Sequence, residues 1–311
     1  MPSSSIVALT SATSSSGVAM DQPIIELRQV RNFRDVGYTV NCFLGRKLVR
    51  EGVFFRSARP DGAGAEDEAL IRDRLGVKTI IDLRTETEHR QRTRKQQPDA
   101  SESASLAKEP SQDAYSPSVN GVAYKPVKVI GRSVERHLLS QLSWSGFFKT
   151  IGLHVCGYRK QAARVMAQEV LVPMGLPGMS NVILDHAGPE ICDVLSTYTS
   201  TQTTPTLVHC TLGKDRTGFI CALVLFILNV PVSAIEHDYF LTEPALLPDR
   251  PQRVLEMRNA GFTEEWADTA KGMITGMENH MASEYGGLEA YLDHIGFLQS
   301  DREKLREVLL Y

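Results

Sequence analysis

Residues 205–229 constrain the fold more than any other stretch of the chain. Pro205-Thr206-Leu207-Val208-His209 reads as a short apolar strand. Cys210 to Gly218 forms a glycine-containing turn, and Phe219 to Asn229 an almost wholly apolar helix. A helix without a polar face belongs in an interior. A second β-branched run, Val77-Lys78-Thr79-Ile80-Ile81-Asp82-Leu83, has the nearly continuous apolar character of a buried parallel strand. Together they predict an α/β protein whose central, mostly parallel sheet is flanked by helices.

The rest of the chain fits around that centre. Leu48 to Arg56 and Val122 to Val129 read as further strands, and Asp67 to Leu75 as a short amphipathic helix. Helical patterns run through Val134 to Val170 and Pro189 to Tyr198. Beyond Asn229 the pattern is helical throughout, a C-terminal helical cover with expected breaks at Gly261, Gly276 and Gly286-Gly287. Residues 1–22, rich in Ser, Thr, Ala and Gly, cannot bury enough apolar surface to offset their ordering entropy and are expected to be a disordered tail. Residues 23–311 are expected to form one domain with a polar surface insertion at about 90–120. The basic run Arg90, Arg92, Arg94 and Lys95 opens that insertion and is expected to be a solvated face, or else a contact for an anionic surface.

A net charge of −3 gives no global reason to expect nucleic-acid binding, so an anionic ligand must be drawn by a local cluster of cations. Five cysteines at wide intervals, without a C-x-x-C pair, fit a reducing compartment and suggest neither structural zinc nor a redox dithiol. Cys42, Cys156, Cys192 and Cys221 are expected to be small core hydrophobes. No stretch reaches the ~18 apolar residues of a membrane span. No basic residue precedes Arg28, which argues against a signal or transit peptide. These features lead us to expect a cytoplasmic or nuclear protein without metal or organic cofactor.

The turn after His209 carries the chemistry. A strand-to-helix turn points successive backbone N–H groups into one concavity, and the helix N-terminus adds the positive end of its dipole, so the loop is built to hold a tetrahedral anion. A cysteine at its first position, Cys210, sits where the same donors stabilise a thiolate. Arg216, six residues on, can return a planar fork to two oxygens of a phosphate, which lysine cannot match. Thr211, Leu212, Gly213 and Lys214 supply the cradle, Gly213 and Gly218 permit its tight turn and close packing, and Thr217 can offer a hydroxyl to the sulfur. His209 is expected to point away from the pocket and order the loop. A bare Cys-x5-Arg match is weak; the full string in its strand-turn-helix context is strong.

The segment His209-Cys210-Thr211-Leu212-Gly213-Lys214-Asp215-Arg216-Thr217-Gly218 resembles the signature of the cysteine-dependent protein tyrosine phosphatase superfamily, in the version of its bacterial and fungal tyrosine/serine phosphatases. Asn32-Phe33-Arg34-Asp35-Val36-Gly37, Phe55-Arg56-Ser57-Ala58 and Ile81-Asp82-Leu83-Arg84 are similar to three further motifs of that family, so the resemblance spans roughly Ile24 to Leu241. It implies hydrolysis of phosphate monoesters, on phosphotyrosine or phosphoserine/threonine proteins, through a cysteinyl-phosphate intermediate. Tyr38 departs from the family's second glycine, and neither Trp144 nor Trp266 is followed by the Pro-Asp of the well-known general-acid loop. Two acids are therefore candidates: Asp215, which the resemblance favours, and Asp82, which ends a strand where α/β active sites form but could equally pair with an arginine and orient the loop. Arg56 and Arg84 either add positive charge near the pocket or make ordinary salt bridges. Lys214 is expected as a second cation at the pocket mouth. Related phosphatases with a lysine here often accept phosphoinositides, which makes a lipid substrate and a peripheral membrane contact the alternative. Two other readings stay open: a phospho-ligand binding module that has lost turnover, and a sulfurtransferase of the rhodanese type.

Overall fold

A computed structural model describes residues 27–89 and 119–311. The expected tail, the basic run at 90–95 and nearly all of the expected insertion lie outside the described residues. Five strands form one sheet: β1 (Arg34–Asp35), β2 (Phe54–Ser57), β3 (Thr79–Asp82), β4 (Ala123–Pro126) and β5 (Thr206–His209), in the order β1-β2-β5-β3-β4. Only β1 runs antiparallel to its neighbour; the other pairings are parallel. The expected mostly parallel α/β sheet is therefore present, and β5, which carries the Cys210 loop, lies at its centre.

Alternation along the strands splits the interior in two. Phe54, Ile81 and Val208 face the main core, while their neighbours Phe55, Ile80 and Leu207 join a smaller core with Val30, Ile71 and Val122. Helix α1 (Val36–Leu44) follows β1, and α2 (Ala65–Ala69) continues into a wider helical turn at Leu70–Arg74. Between β4 and β5 come α3 (Arg132–Ser140), α4 (Trp144–Val155), α5 (Arg159–Met166), α6 (Val172–His186) and α7 (Gly188–Ser196). Helix α8 (Asp215–Ile227) is the apolar one, buried at every position from Thr217 to Ile227. The cover follows as α9 (Val232–Phe240), α10 (Thr242–Leu246), α11 (Arg250–Ala260), α12 (Met273–His280), α13 (Leu288–His294) and α14 (Gln299–Leu309).

The differences from expectation are local. The strand expected over 48–56 is interrupted by a turn at Glu51 and Gly52, with Val49 making only an isolated bridge to Leu310 before β2 begins. The turn is fixed by Asp35, whose carboxylate accepts from the Gly52 N–H. Gly276 does not break a helix but lies inside α12, whereas Gly261 and Gly286 do end helices. Of the four cysteines expected in the core, Cys221 is buried, Cys192 half-buried, and Cys42 and Cys156 exposed.

Candidate active site

The loop from Cys210 to Lys214 leaves the C-terminal end of the central strand and enters α8 at Asp215. Gly213 makes the turn possible: its φ is +66°, and a Cβ there would lie 2.2 Å from the Ser57 carbonyl oxygen. Gly218 lets α8 approach Tyr239 closely, since a Cβ would meet the ring at 2.7 Å.

The loop is held from behind by its carbonyl groups. Asn32 Nδ2 donates to the carbonyl oxygens of Leu212 and Gly213, at 3.1 and 2.9 Å, and Arg56 Nη2 donates to that of Gly213 at 2.8 Å. Because C=O and N–H point in opposite directions across a trans peptide, fixing these oxygens outward turns the N–H groups of Gly213 and Lys214 to the other side of the loop. Arg56 is in turn paired with Asp238, which also accepts from Arg34 Nε at 2.8 Å. Arg34 completes the circuit by donating to Asn32 Oδ1. Two buried arginines thus share one buried carboxylate behind the loop. Burial alone would raise the Asp238 carboxyl, but Arg34 and Arg56 outweigh it and hold it at about 2.

Arg216 reaches the other side. Its Nη1 and Nη2 make a paired contact with Glu88, 2.7 Å each, and Nη1 also donates to the Leu83 carbonyl at 3.1 Å. Thr211 donates its hydroxyl to the same carboxylate. Burial would raise Glu88, but Arg216 and Thr211 outweigh it and hold it at about 2. Arg216 Nε has no hydrogen-bond partner among the described residues, so the Nε and Nη2 edge is open for a second fork while Glu88 keeps the first.

Other expected residues take different places. Asp82 is fully buried; it accepts from the Arg84 backbone N–H and guanidinium and from the Tyr124 hydroxyl, with His209 Nε2 3.6 Å away. Burial would raise its carboxyl, but the neighbouring His209 and Arg84 reverse this and set it below the usual carboxylate range. A group held in that way has no proton to give at neutral pH, and the second reading of Asp82, pairing with an arginine, describes its geometry. Arg84 forks across Asp82 and Asp61, and Arg56 across Asp238 and the Gly213 carbonyl, so both are spent on buried contacts rather than on the open side of the loop. Lys214 is also buried. Its Nζ donates to the carbonyl oxygens of Trp266 (2.9 Å) and Asp268 (2.6 Å), tying the short turn Glu264–Ala267 to the loop, because a desolvated ammonium must find acceptors. It is not the free cation expected at the mouth.

Asp215 stands differently. Its carboxylate belongs to the first turn of α8, its Oδ1 accepts no hydrogen bond among the described residues, and Lys214 Nζ is 3.4 Å from it. Thr217 Oγ1 is buried and likewise without a hydrogen-bond partner among them. The His209 Nδ1 faces the Cys210 carbonyl at 3.1 Å, inside the fold, which orders the strand end. Among the described residues no group of three or more His, Cys, Asp or Glu side chains converges as a metal site would need.

Sequence reasoning missed Glu88, Asp238 and Asn32 as parts of this site. Glu88 had a signal: Thr85-Glu86-Thr87-Glu88 is a capping-box pattern, and the Thr85 backbone N–H does donate to Glu88 at 2.9 Å. Asn32 lies in a motif already singled out, though its role needed the fold. Asp238 had none, sitting in an ordinary helical stretch.

A segment of 133 residues, 40% of this chain and 45% of the relative, is 30% identical to a tyrosine-protein phosphatase of Nostoc commune. Another of 122 residues, 34% of this chain and 44% of the relative, is 31% identical to the triple specificity protein phosphatase PtpB of Mycobacterium tuberculosis. The matched segments span less than half of either relative. The family match is far wider. Residues 25–311 fit the sequence model described as the tyrosine phosphatase family, and with the Cys210 to Arg216 loop at the centre of the sheet, the chain belongs to that family.

Proposed function

We propose that this protein hydrolyses phosphate monoesters through a cysteinyl-phosphate intermediate on Cys210, acting on phosphotyrosine proteins first. The observation that carries this reading is the pairing of a cysteine at the start of a braced anion cradle with an arginine whose outer edge is open. Cys210 Sγ attacks phosphorus as the ester oxygen leaves, and the loop N–H groups and Arg216 meet the charge on the equatorial oxygens. Asp215, whose Oδ1 accepts no hydrogen bond among the described residues and lies 3.4 Å from Lys214 Nζ, protonates the leaving oxygen. A water then attacks the phosphocysteine, giving its proton to Asp215, while the Thr217 hydroxyl donates to the departing thiolate. Phosphate is released and Cys210 returns to its starting state.

Side-by-side assays of the full chain and its Cys210→Ser variant on phosphotyrosine peptide, phosphoserine peptide and a phosphoinositide panel test the reading. Phosphate release from the tyrosine peptide, lost in the variant, is expected. Preferential release from a phosphoinositide would reassign the substrate. Tight binding without release would make the protein a phospho-ligand module, and sulfur transfer from thiosulfate without phosphate release would make it a sulfurtransferase.

A further inference from the structure

Five of the eleven large apolar side chains exposed among the described residues lie within residues 144–158. Four of them, Trp144, Phe148, Ile151 and Val155, follow one another at i, i+4, i+7 and i+11 and so form a single stripe along α4. Trp144 is 81% exposed, Phe148 64% and Val155 80%. The helix is seated by its opposite side. Gly146 is buried against Glu169 and Leu153 packs on the main core, and Phe147 packs there from the flank. Helix α4 is therefore apolar on both sides, with only the inner one covered. A patch of this kind marks an interaction surface.

The surrounding charge selects the partner. Residues 132–164 contain six basic side chains, Arg132, Arg136, Lys149, Arg159, Lys160 and Arg164, against the single acid Glu135. All six are exposed, and none makes an ion pair among the described residues. A second copy docked by the same segment would bring like charge against like, since a two-fold contact pairs a patch with itself. An anionic bilayer surface instead satisfies both features: the stripe enters the headgroup region while the basic side chains stay with the lipid phosphates. Trp144 at the start of the stripe and Tyr158 just beyond its end are residue types favoured at that depth. We infer that α4, with the start of α5, is a peripheral docking surface for anionic membranes. None of these side chains hydrogen-bonds to the Cys210 loop, and the inference does not depend on the proposed reaction.

Cosedimentation of the full chain with vesicles of phosphatidylcholine alone, and with about one third phosphatidylserine, tests this inference. Binding is expected only with phosphatidylserine and should weaken with added salt. W144S/F148S/V155S should reduce it at least about tenfold, and K149E/R159E/K160E by a similar or larger factor, each basic residue contributing about fivefold at an anionic surface. These exposed positions should leave turnover of p-nitrophenyl phosphate unchanged. That assay also separates failure of this surface from failure of the phosphatase reading. The chain has two tryptophans, so in a W266F background Trp144 alone should show a blue-shifted emission with phosphatidylserine vesicles. No binding at low salt, or binding that survives both triple variants, would overturn the inference. So would a dimer in sedimentation equilibrium that W144S/F148S/V155S dissociates while vesicles leave the wild type in solution.

Discussion

The two sides of the Cys210 loop are built on opposite principles. Behind it, Asn32, Arg34, Arg56 and Asp238 form a closed circuit in which the buried charges are paired and two loop carbonyls are held. On the mouth side, Asp215 Oδ1 and Thr217 Oγ1 are buried without hydrogen bonds and Arg216 Nε makes none among the described residues. Apart from Arg56 Nε, which has no partner among the described residues, the back meets the requirement that buried polar groups be satisfied, and this fixes the direction of the N–H donors before any ligand arrives. The mouth leaves unmet capacity where a reacting group would sit. Residues of the back should therefore affect stability and rate together, and residues of the mouth rate alone.

The largest expected effect lies at the mouth. Cys210→Ser should lower kcat by a factor on the order of 10³ or more with an unchanged Tm, because a hydroxyl lacks a base to activate it. Activity above a few per cent of wild type in steady-state assays would break the comparison at its centre. Asp215→Asn should lower kcat for a phosphotyrosine peptide by on the order of 10², and much less for p-nitrophenyl phosphate, whose leaving group needs little protonation. Asp82→Asn serves as the contrast: its carboxylate is committed to Arg84 and Tyr124, so the loss should not depend on the leaving group. Selectivity in the Asp82 variant and none in the Asp215 variant would exchange their roles.

The back is probed by Asp238→Asn, which strands two buried guanidinium groups. Its Tm should fall by roughly 10 °C, with turnover declining equally for all leaving groups. A full-rate variant with lowered Tm would show that the circuit supports the fold without orienting the loop. The same residue predicts an acid response. The folded Asp238 carboxyl is held at about 2, below its unfolded value near ~3.9, so its contribution is complete above about pH 4 and is lost as pH falls through 2. Chemical denaturation between pH 5 and 2 should therefore show a shallower decline for Asp238→Asn than for wild type. The smallest effect is expected at Glu88→Gln, which keeps an acceptor for Arg216 but removes the charge: a change of about threefold to tenfold, mainly in KM.

The sheet and the loop were legible because their signals are local. Apolar runs at 77–83 and 205–209 and the string from His209 to Gly218 state their own periods and turn chemistry. The circuit behind the loop was not legible, because it joins Asn32, Arg56 and Asp238 across as many as 206 positions of sequence, and only the sheet order β1-β2-β5 together with the packing of α9 on α1 brings them together. Lys214 was misplaced, and Arg84 was left between two readings, for a related reason. A cation beside an active-site motif looks free in the sequence, whereas burial requires it to find acceptors, here the carbonyls of residues 266 and 268 and two aspartates.

The central claim is that phosphate passes through Cys210, and it can be read directly. The full chain would be mixed with a ³²P-labelled phosphotyrosine peptide, denatured within milliseconds under conditions that preserve thiophosphates, and digested for mass spectrometry. The account predicts a labelled peptide carrying the phosphate on Cys210, formed at the rate of the first turnover and absent from the Cys210→Ser variant. Label on another residue, or continued turnover with no phosphocysteine and undiminished in Cys210→Ser, would contradict it.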